Sequence, residues 1–357
     1  MASRKMKIVL MAFFSMAWIA VQAFEYRIVS KSENKLPDGV ECHLVNVVDC
    51  FTVYNDSVKN GAIDISGECE RPFPAELLIT NNNPDSLIFI SLNLIVEPGM
   101  MTVDFDKRMV EGGELNRKFS DYEKRIRELW KKDGKQAMQE MKNEFIANRD
   151  NAFGEKILIE IGDEGSSPDE WDEALKYIGE ETKSLEKIRL LTDRMERLRS
   201  SWEGQPYKEL SGKGLDGSPV SLSDYVGKGK IVIADFWASW CKGCIIEAKE
   251  YLKPLYGQYK DSKDVEIIGI AIDDISEAVK KHGIEWDQIM DCKKVMGIYT
   301  IYAFPEIIMF GADGTILHRH LRGEEIERRL VEALQEKKEL QRMEINADKC
   351  ENKVEIW

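Results

Sequence analysis

Histidine and positive charge are both scarce in this sequence, and each shortage closes off a class of function. Four histidines, His43, His282, His318 and His320, are scattered over 357 residues without any metal-ligand spacing. Lysine and arginine number 50 against 64 aspartates and glutamates, a net charge of −14. Such an acidic chain has no electrostatic footprint for nucleic acid, and a bare anionic membrane surface would repel it. No apolar run reaches the ~20 residues of a membrane span, and repeats and low-complexity tracts are absent. What is present is ordinary: 43% hydrophobic and 32% charged residues, in a chain long enough for two or three domains with normal cores.

The first residues read as a targeting segment. Arg4, Lys5 and Lys7 precede an uncharged apolar run from Ile8 to Val21, which ends in Val21-Gln22-Ala23. This pattern predicts a secretory signal over residues 1–23, cleaved after Ala23, and hence an exported, periplasmic protein. The competing reading is an uncleaved anchor. No cysteine follows the cut, so a lipoprotein is not expected. Cleavage would remove three basic residues and no acidic one, taking the charge from −14 to −17.

Seven cysteines are present: Cys42, Cys50, Cys69, Cys241, Cys244, Cys292 and Cys350. An exporting context permits disulfides, but an odd count leaves at least one thiol without a partner in the monomer. Cys42 and Cys50 flank a run able to bend back on itself, which makes them a candidate structural disulfide. Only Cys241 and Cys244 have motif spacing.

Composition and periodicity divide the rest of the chain. Residues 24–107 read as a small β-sandwich or barrel, with strands expected over 42–54, 62–66, 75–80, 87–96 and 101–105 and turn signals between them. Residues 108–202 read as helical. Phe119, Tyr122, Ile126 and Leu129 recur at helical spacing, and Ser167-Pro168-Asp169-Glu170 is a capping box with proline at the first helical position. Residues 203–335 alternate strand and helix: an apolar strand over 231–237, a helix from Cys241 to about Tyr259 and a second strand over 265–272. A hairpin about Asp313-Gly314 and a closing helix over 322–335 follow. Residues 336–357 form a charged tail with no placement.

The chemistry concentrates in Trp240-Cys241-Lys242-Gly243-Cys244, set directly after a buried strand and opening a helix. Two cysteines three apart on a first helical turn can close a small disulfide. The first of them sits where unpaired backbone N–H groups and the positive helix end stabilise a thiolate. A free thiol is only ~3% ionised at pH 7, so that stabilisation decides its nucleophilicity. A zinc half-site would need a second ligand pair, which the other cysteines do not supply. Haem attachment would need histidine at Ile245. An inert structural disulfide is the remaining alternative.

At these residues a resemblance becomes plain. The run from Ile233 to Cys244 is similar to the active-site segment of thioredoxins and, more closely, of the exported TlpA-like thiol–disulfide oxidoreductases. Ser218–Tyr225 resembles that family's opening hairpin, and Tyr302-Ala303-Phe304-Pro305 its cis-proline loop. Glu247, three residues after the second cysteine, falls where the family carries a glutamate near the disulfide. The resemblance runs from about Gly204 to Leu334. It implies an α/β thioredoxin fold at the C-terminus, preceded by a small all-β domain and a helical segment. Residues 24–107 more faintly resemble the β-domain ahead of such modules. Three departures bear on potential and substrate choice: Lys-Gly between the cysteines, Glu306 after the proline, and Ala248-Lys249 in place of a frequent proline.

The implied function is thiol–disulfide exchange with proteins bearing disulfides or thiols. Cys241 is the nucleophile, Cys244 the resolver, and Asp235 or Glu247 the proton acceptor. Trp240, Phe304 and Pro305 meet the substrate, with Pro305 in cis. No dissociable cofactor and no metal is implied, and a membrane-bound reductase would donate electrons. The alternatives stay open: Asp235 turned outward at a strand end, Glu247 as an ordinary solvated residue, Pro305 in trans, and the whole domain as a non-catalytic binding module.

Overall fold

The computed structural model describes residues 23–31, 35–81, 88–163 and 166–351, with side chains as far as Met343. Residues 1–22 of the expected signal over 1–23, the asparagine-rich turn at residues 82–84 and the side chain of Cys350 lie outside the described residues. The chain divides into two compact units. One runs to Leu158 and includes Leu185–Lys187; the other comprises Ile159–Ser184 and everything from Ile188 onward. The helical region is therefore shared between them.

Among the described residues of the first unit, eight strands form two four-stranded sheets. They are β1 (Phe24–Ser30), β2 (Glu41–Asn46), β3 (Phe51–Ser57), β4 (Asp64–Cys69), β5 (Phe73–Thr80), β6 (Phe89–Val96), β7 (Gly99–Asp104) and β8 (Met109–Glu111). The strand orders are β4-β1-β7-β8 and β3-β2-β5-β6, so each sheet is open and neither is a closed barrel. The strand that sequence reading overlooked, β1, joins its sheet together, pairing antiparallel with β4 and parallel with β7. Three helices follow: α1 (Glu114–Trp130), α2 (Gly134–Asn148) and α3 (Ala152–Asp163). The Glu97-Pro98-Gly99 turn caps α1, because the Glu97 carboxylate accepts from the Glu114, Leu115 and Asn116 amides at 2.9–3.1 Å.

The run over 42–54 is two strands, not one. The Asn46 side chain accepts from the Val48 and Asp49 amides and turns the chain, so β2 and β3 make a hairpin. That geometry overturns the Cys42–Cys50 disulfide. Cys42 lies near the start of β2 and Cys50 in the turn beyond its far end, more than ~10 Å along the strand at ~3.3 Å per residue, outside bridging range. Both are free thiols, Cys42 buried and Cys50 exposed. Burial pushes the Cys42 thiol up to about 12, which leaves it unreactive near neutral pH.

In the second unit α4 (Pro168–Leu175) starts on the capping box read from the sequence, and α5 (Glu180–Ser184) and α6 (Glu186–Arg199) follow. A short hairpin of β9 (Ser211–Lys213) and β10 (Pro219–Ser221) leads to β11 (Ile231–Trp237). Then come α7 (Lys242–Glu247), a π-helical stretch over Ala248–Leu252, α8 (Lys253–Tyr259) and β12 (Val265–Ala271). The chain ends with α9 (Ser276–His282), β13 (Gln288–Ile289), α10 (Val295–Ile298), β14 (Glu306–Phe310), β15 (Ile316–His318) and α11 (Glu324–Glu351). The sheet order is β13-β12-β11-β14-β15, with β11 parallel to β12 and antiparallel to β14. This is the thioredoxin fold, with β11 at the centre.

All seven residues of β11 are buried, because both faces of the sheet are covered. Ile231, Ile233 and Trp237 pack on one face with Cys241 and Cys244, while Val232, Ala234 and Phe236 pack on the other. Asp235 therefore shares its face with the cysteines. The last helix does not stop at Gln335. Its Glu-, Lys-, Leu- and Gln-rich sequence holds no glycine or proline to end it, and Lys337 donates to the Gly229 carbonyl and to Asp264, both at 2.6 Å. No described helix is long and apolar enough to cross a membrane.

Candidate redox-active site

Cys241 is the N-cap of α7, and its Sγ accepts from the Cys244 amide at 3.1 Å. The sulfur thus sits at the positive end of the helix, where a thiolate gains most. The two cysteines are joined by a disulfide with Cα atoms 5.3 Å apart. Cys244 is fully buried and Cys241 is 7% exposed, so Cys241 is the more accessible of the pair. Lys242 points to solvent. Among the described residues, Cys42, Cys50, Cys69 and Cys292 are free thiols.

A second side chain holds the approach to the cysteines. The Ser239 amide and hydroxyl both donate to Asp273, the hydroxyl at 2.5 Å, which fixes the turn between β11 and α7. Sequence reading missed Asp273. The signal was there in principle: in the parallel register Trp237 lies beside Ala271, so Ser239 falls beside Asp273 two residues later.

The Phe304–Pro305 peptide bond is cis. A methyl group at Gly243 would lie 3.5 Å from Pro305 Cδ, so the proline packs over the residues between the cysteines. Trp240, 69% exposed, meets the half-buried Phe304 ring edge-on at 6.2 Å. Arg322, absent from the sequence reading, donates to the Pro305 carbonyl.

Beneath the disulfide lie two carboxylates. Asp235 is buried, and its Oδ1 has no hydrogen-bond partner among the described residues. Burial, with the Glu247 carboxylate adding to it and Arg322 opposing it, pushes the Asp235 carboxyl from 3.8 to about 8. Glu247 is also buried, and accepts from the Gly323 amide at 2.5 Å. Neither carboxylate turns outward. Glu306 is engaged differently: it accepts from Arg319 Nε at 3.1 Å and pairs with His320 Nδ1 at 2.7 Å. Burial would raise its carboxyl, but His320 and then Arg319 hold it below the ordinary glutamate value. Arg319 reaches on to the carbonyl and hydroxyl of Ser201. The departure at residue 306 is thus one half of a buried ion pair, whose partners lie too far along the chain for local pattern to expose.

The structure therefore brings together Asp235, Trp240, Cys241, Cys244, Glu247, Phe304 and Pro305. The AhpC/TSA family model matches residues 204–319, the segment that carries them. A Bacillus cereus thiol–disulfide oxidoreductase, ResA, is 33% identical over 126 residues, 34% of this chain and 70% of the relative. The chain belongs to the ResA-type, TlpA-like thiol–disulfide oxidoreductases. The ResA protein of Bacillus thuringiensis is 34% identical over 110 residues, 29% of this chain and 61% of that one. Among solved structures, the thioredoxin domain of a Bacteroides vulgatus thiol–disulfide oxidoreductase is 32% identical. It covers 36% of this chain and 96% of that one, with a TM-score of 0.34. Membership makes this TlpA-like chain a protein thiol–disulfide oxidoreductase. The two sheets and the first helices lie outside the matched region.

Proposed function

We propose that the protein is exported and reduces or isomerises disulfides in other exported proteins, with Cys241 as nucleophile. The observation that carries this is Cys241 itself: the N-cap of a helix, 7% exposed, disulfide-linked to a fully buried partner. The Cys241 thiolate attacks a substrate disulfide, and one substrate sulfur leaves as thiolate. Cys244 passes its proton to Asp235, attacks the Cys241 sulfur and releases the second substrate thiolate. The substrate gains two electrons and the enzyme ends as the Cys241–Cys244 disulfide. Glu247 modulates the proton acceptor through its charge, and Trp240, Phe304 and Pro305 meet the substrate chain. A membrane-bound reductase returns the enzyme to the dithiol.

Two measurements test this reading. In the reduced protein near pH 7, iodoacetamide should alkylate Cys241 at least about tenfold faster than Cys244, since only Cys241 combines access with a helix N-terminus. Equal rates would reverse or remove the assignment.

The second is the potential. A strong oxidant needs its reduced form heavily stabilised. Here Lys242 is solvated and weakened by screening, while the buried Glu247 carboxylate opposes a thiolate. Equilibration against glutathione should give a potential between about −270 and −180 mV. A value above about −150 mV would make the protein an oxidant and refute the direction.

A further inference from the structure

The loop that leads into Pro305 has no regular structure of its own. Residues 301–305 lie between α10 and β14, outside any strand or helix; the Ile301 amide donates to the Met296 carbonyl at 2.9 Å, and beyond that side-chain contacts hold the loop. Two of these contacts come from the thioredoxin fold itself, Trp240 on Phe304 and Arg322 on the Pro305 carbonyl. A third comes from the helices ahead of it. Arg194, on α6, lies over the Tyr302 ring with its guanidinium carbon 4.1 Å from the centroid. The same guanidinium donates to the Gly162 carbonyl and, at 3.2 Å, to Asp163, at the end of α3.

That end of α3 is a firm base. A methyl group at Gly162 would come within 2.8 Å of both Leu191 and Trp171, so α3 packs tightly here against α6 and α4. The Trp171 indole donates to Thr192 on α6 at 3.1 Å. The Arg194 guanidinium is therefore anchored on packed helices while it lies over the Tyr302 ring. Tyr302 remains 40% exposed, so its outer face is open to whatever approaches the loop.

We propose that Arg194 is a positioning residue for substrate binding, through which the helical segment sets the Tyr302–Pro305 loop. The proposal rests on the reading of Cys241 as nucleophile and of this loop as the surface that meets substrate. Arg194 touches neither sulfur. Its influence falls on how well an extended protein substrate is held, not on thiol chemistry.

The test uses the full-length protein, native insulin with its disulfides intact as the protein disulfide probe, and dithiothreitol as the reductant that returns the enzyme to the dithiol. Arg194→Ala should raise KM for insulin about three- to thirtyfold, the span of a cation–π contact between exposed and desolvated settings. Turnover at saturation and the rate of Cys241 alkylation by iodoacetamide should stay unchanged, the signature of lost uniform binding. Arg194→Lys, which keeps a cation but loses the planar fork to Gly162 and Asp163, should fall between. Tyr302→Leu leaves the packed helices untouched and should reproduce the KM effect, and the double variant should show no further rise. An unchanged KM in Arg194→Ala, or additive effects in the double variant, would overturn the proposal. So would equal losses of insulin turnover and alkylation rate, because these mark general damage. Failure of the underlying reading looks different: Cys241→Ser would then still reduce insulin.

Discussion

Cys244→Ser, introduced into the reduced full-length protein, will freeze substrate proteins on Cys241 as mixed disulfides and lower turnover by at least about a thousandfold. The size follows from where Cys244 sits. It is buried on the first turn of α7, three residues from Cys241, and its amide already contacts the Cys241 sulfur at 3.1 Å. Attack from that position is intramolecular, and well-oriented intramolecular reactions reach effective concentrations of roughly 10⁵ M or more. Serine cannot make that attack. Resolution then falls to external thiols at millimolar concentration, and these must reach Cys241, a residue only 7% exposed. Cys241→Ser should be equally inactive but should trap nothing at this site, because the remaining cysteine of the pair, Cys244, is fully buried. Mass spectrometry of trapped species would name the substrates. Adducts on Cys244 in a Cys241→Ser protein, or steady turnover without Cys244, would sink the proposed order of attack.

Most of this site is legible in the amino-acid sequence, for a physical reason. The elements that build it are consecutive: a fully apolar strand, a turn, a cysteine pair and a helix, each with its own local signal over residues 231–259. Burial of Asp235 was implied by the strand around it, since a β-strand covered on both faces leaves no wet side for a carboxylate. The parts that escaped depend on pairing between distant segments. Glu306 is neutralised by Arg319, 13 residues away, and Arg319 donates in turn to Ser201, 118 residues earlier. Arg194 reaches Tyr302 from another helix. No periodicity encodes such contacts. In the first unit the same limit hid β1, which pairs with β4 and β7 across long stretches of chain. It also invited the Cys42–Cys50 pairing, where eight residues of separation left open a bend that the hairpin puts elsewhere.

Asp235→Asn should make the protein slower and more stable at once, with different pH dependences for the two effects. The Asp235 carboxyl is held at about 8 against an ordinary 3.8, chiefly because it is buried. Consider stability first. Below pH 3.8 the group is protonated in both folded and unfolded chains and costs nothing. Between 3.8 and 8 the unfolded chain releases the proton while the folded chain keeps it, so the native state loses about 1.4 kcal/mol per pH unit. Above 8 the penalty levels off. Asparagine has the shape of the protonated acid and does not titrate. The oxidised variant should therefore match the wild type near pH 4 and exceed it by on the order of 4 kcal/mol at pH 7 in denaturant unfolding. Activity moves the other way. A positioned general base contributes roughly 10²- to 10⁴-fold, and the variant must rely on spontaneous ionisation of Cys244. Below about pH 8 both rates should climb together with the variant lower by that factor, since base and thiolate both ionise tenfold more per pH unit. Above about pH 8 the Asp235 carboxylate is fully formed, the wild type levels off and the variant closes the gap. A variant that is slower and also less stable has merely lost packing. A stability difference that does not widen from pH 4 to pH 7 would show that Asp235 is not a buried acid, and the proton acceptor would have to be sought at Glu247.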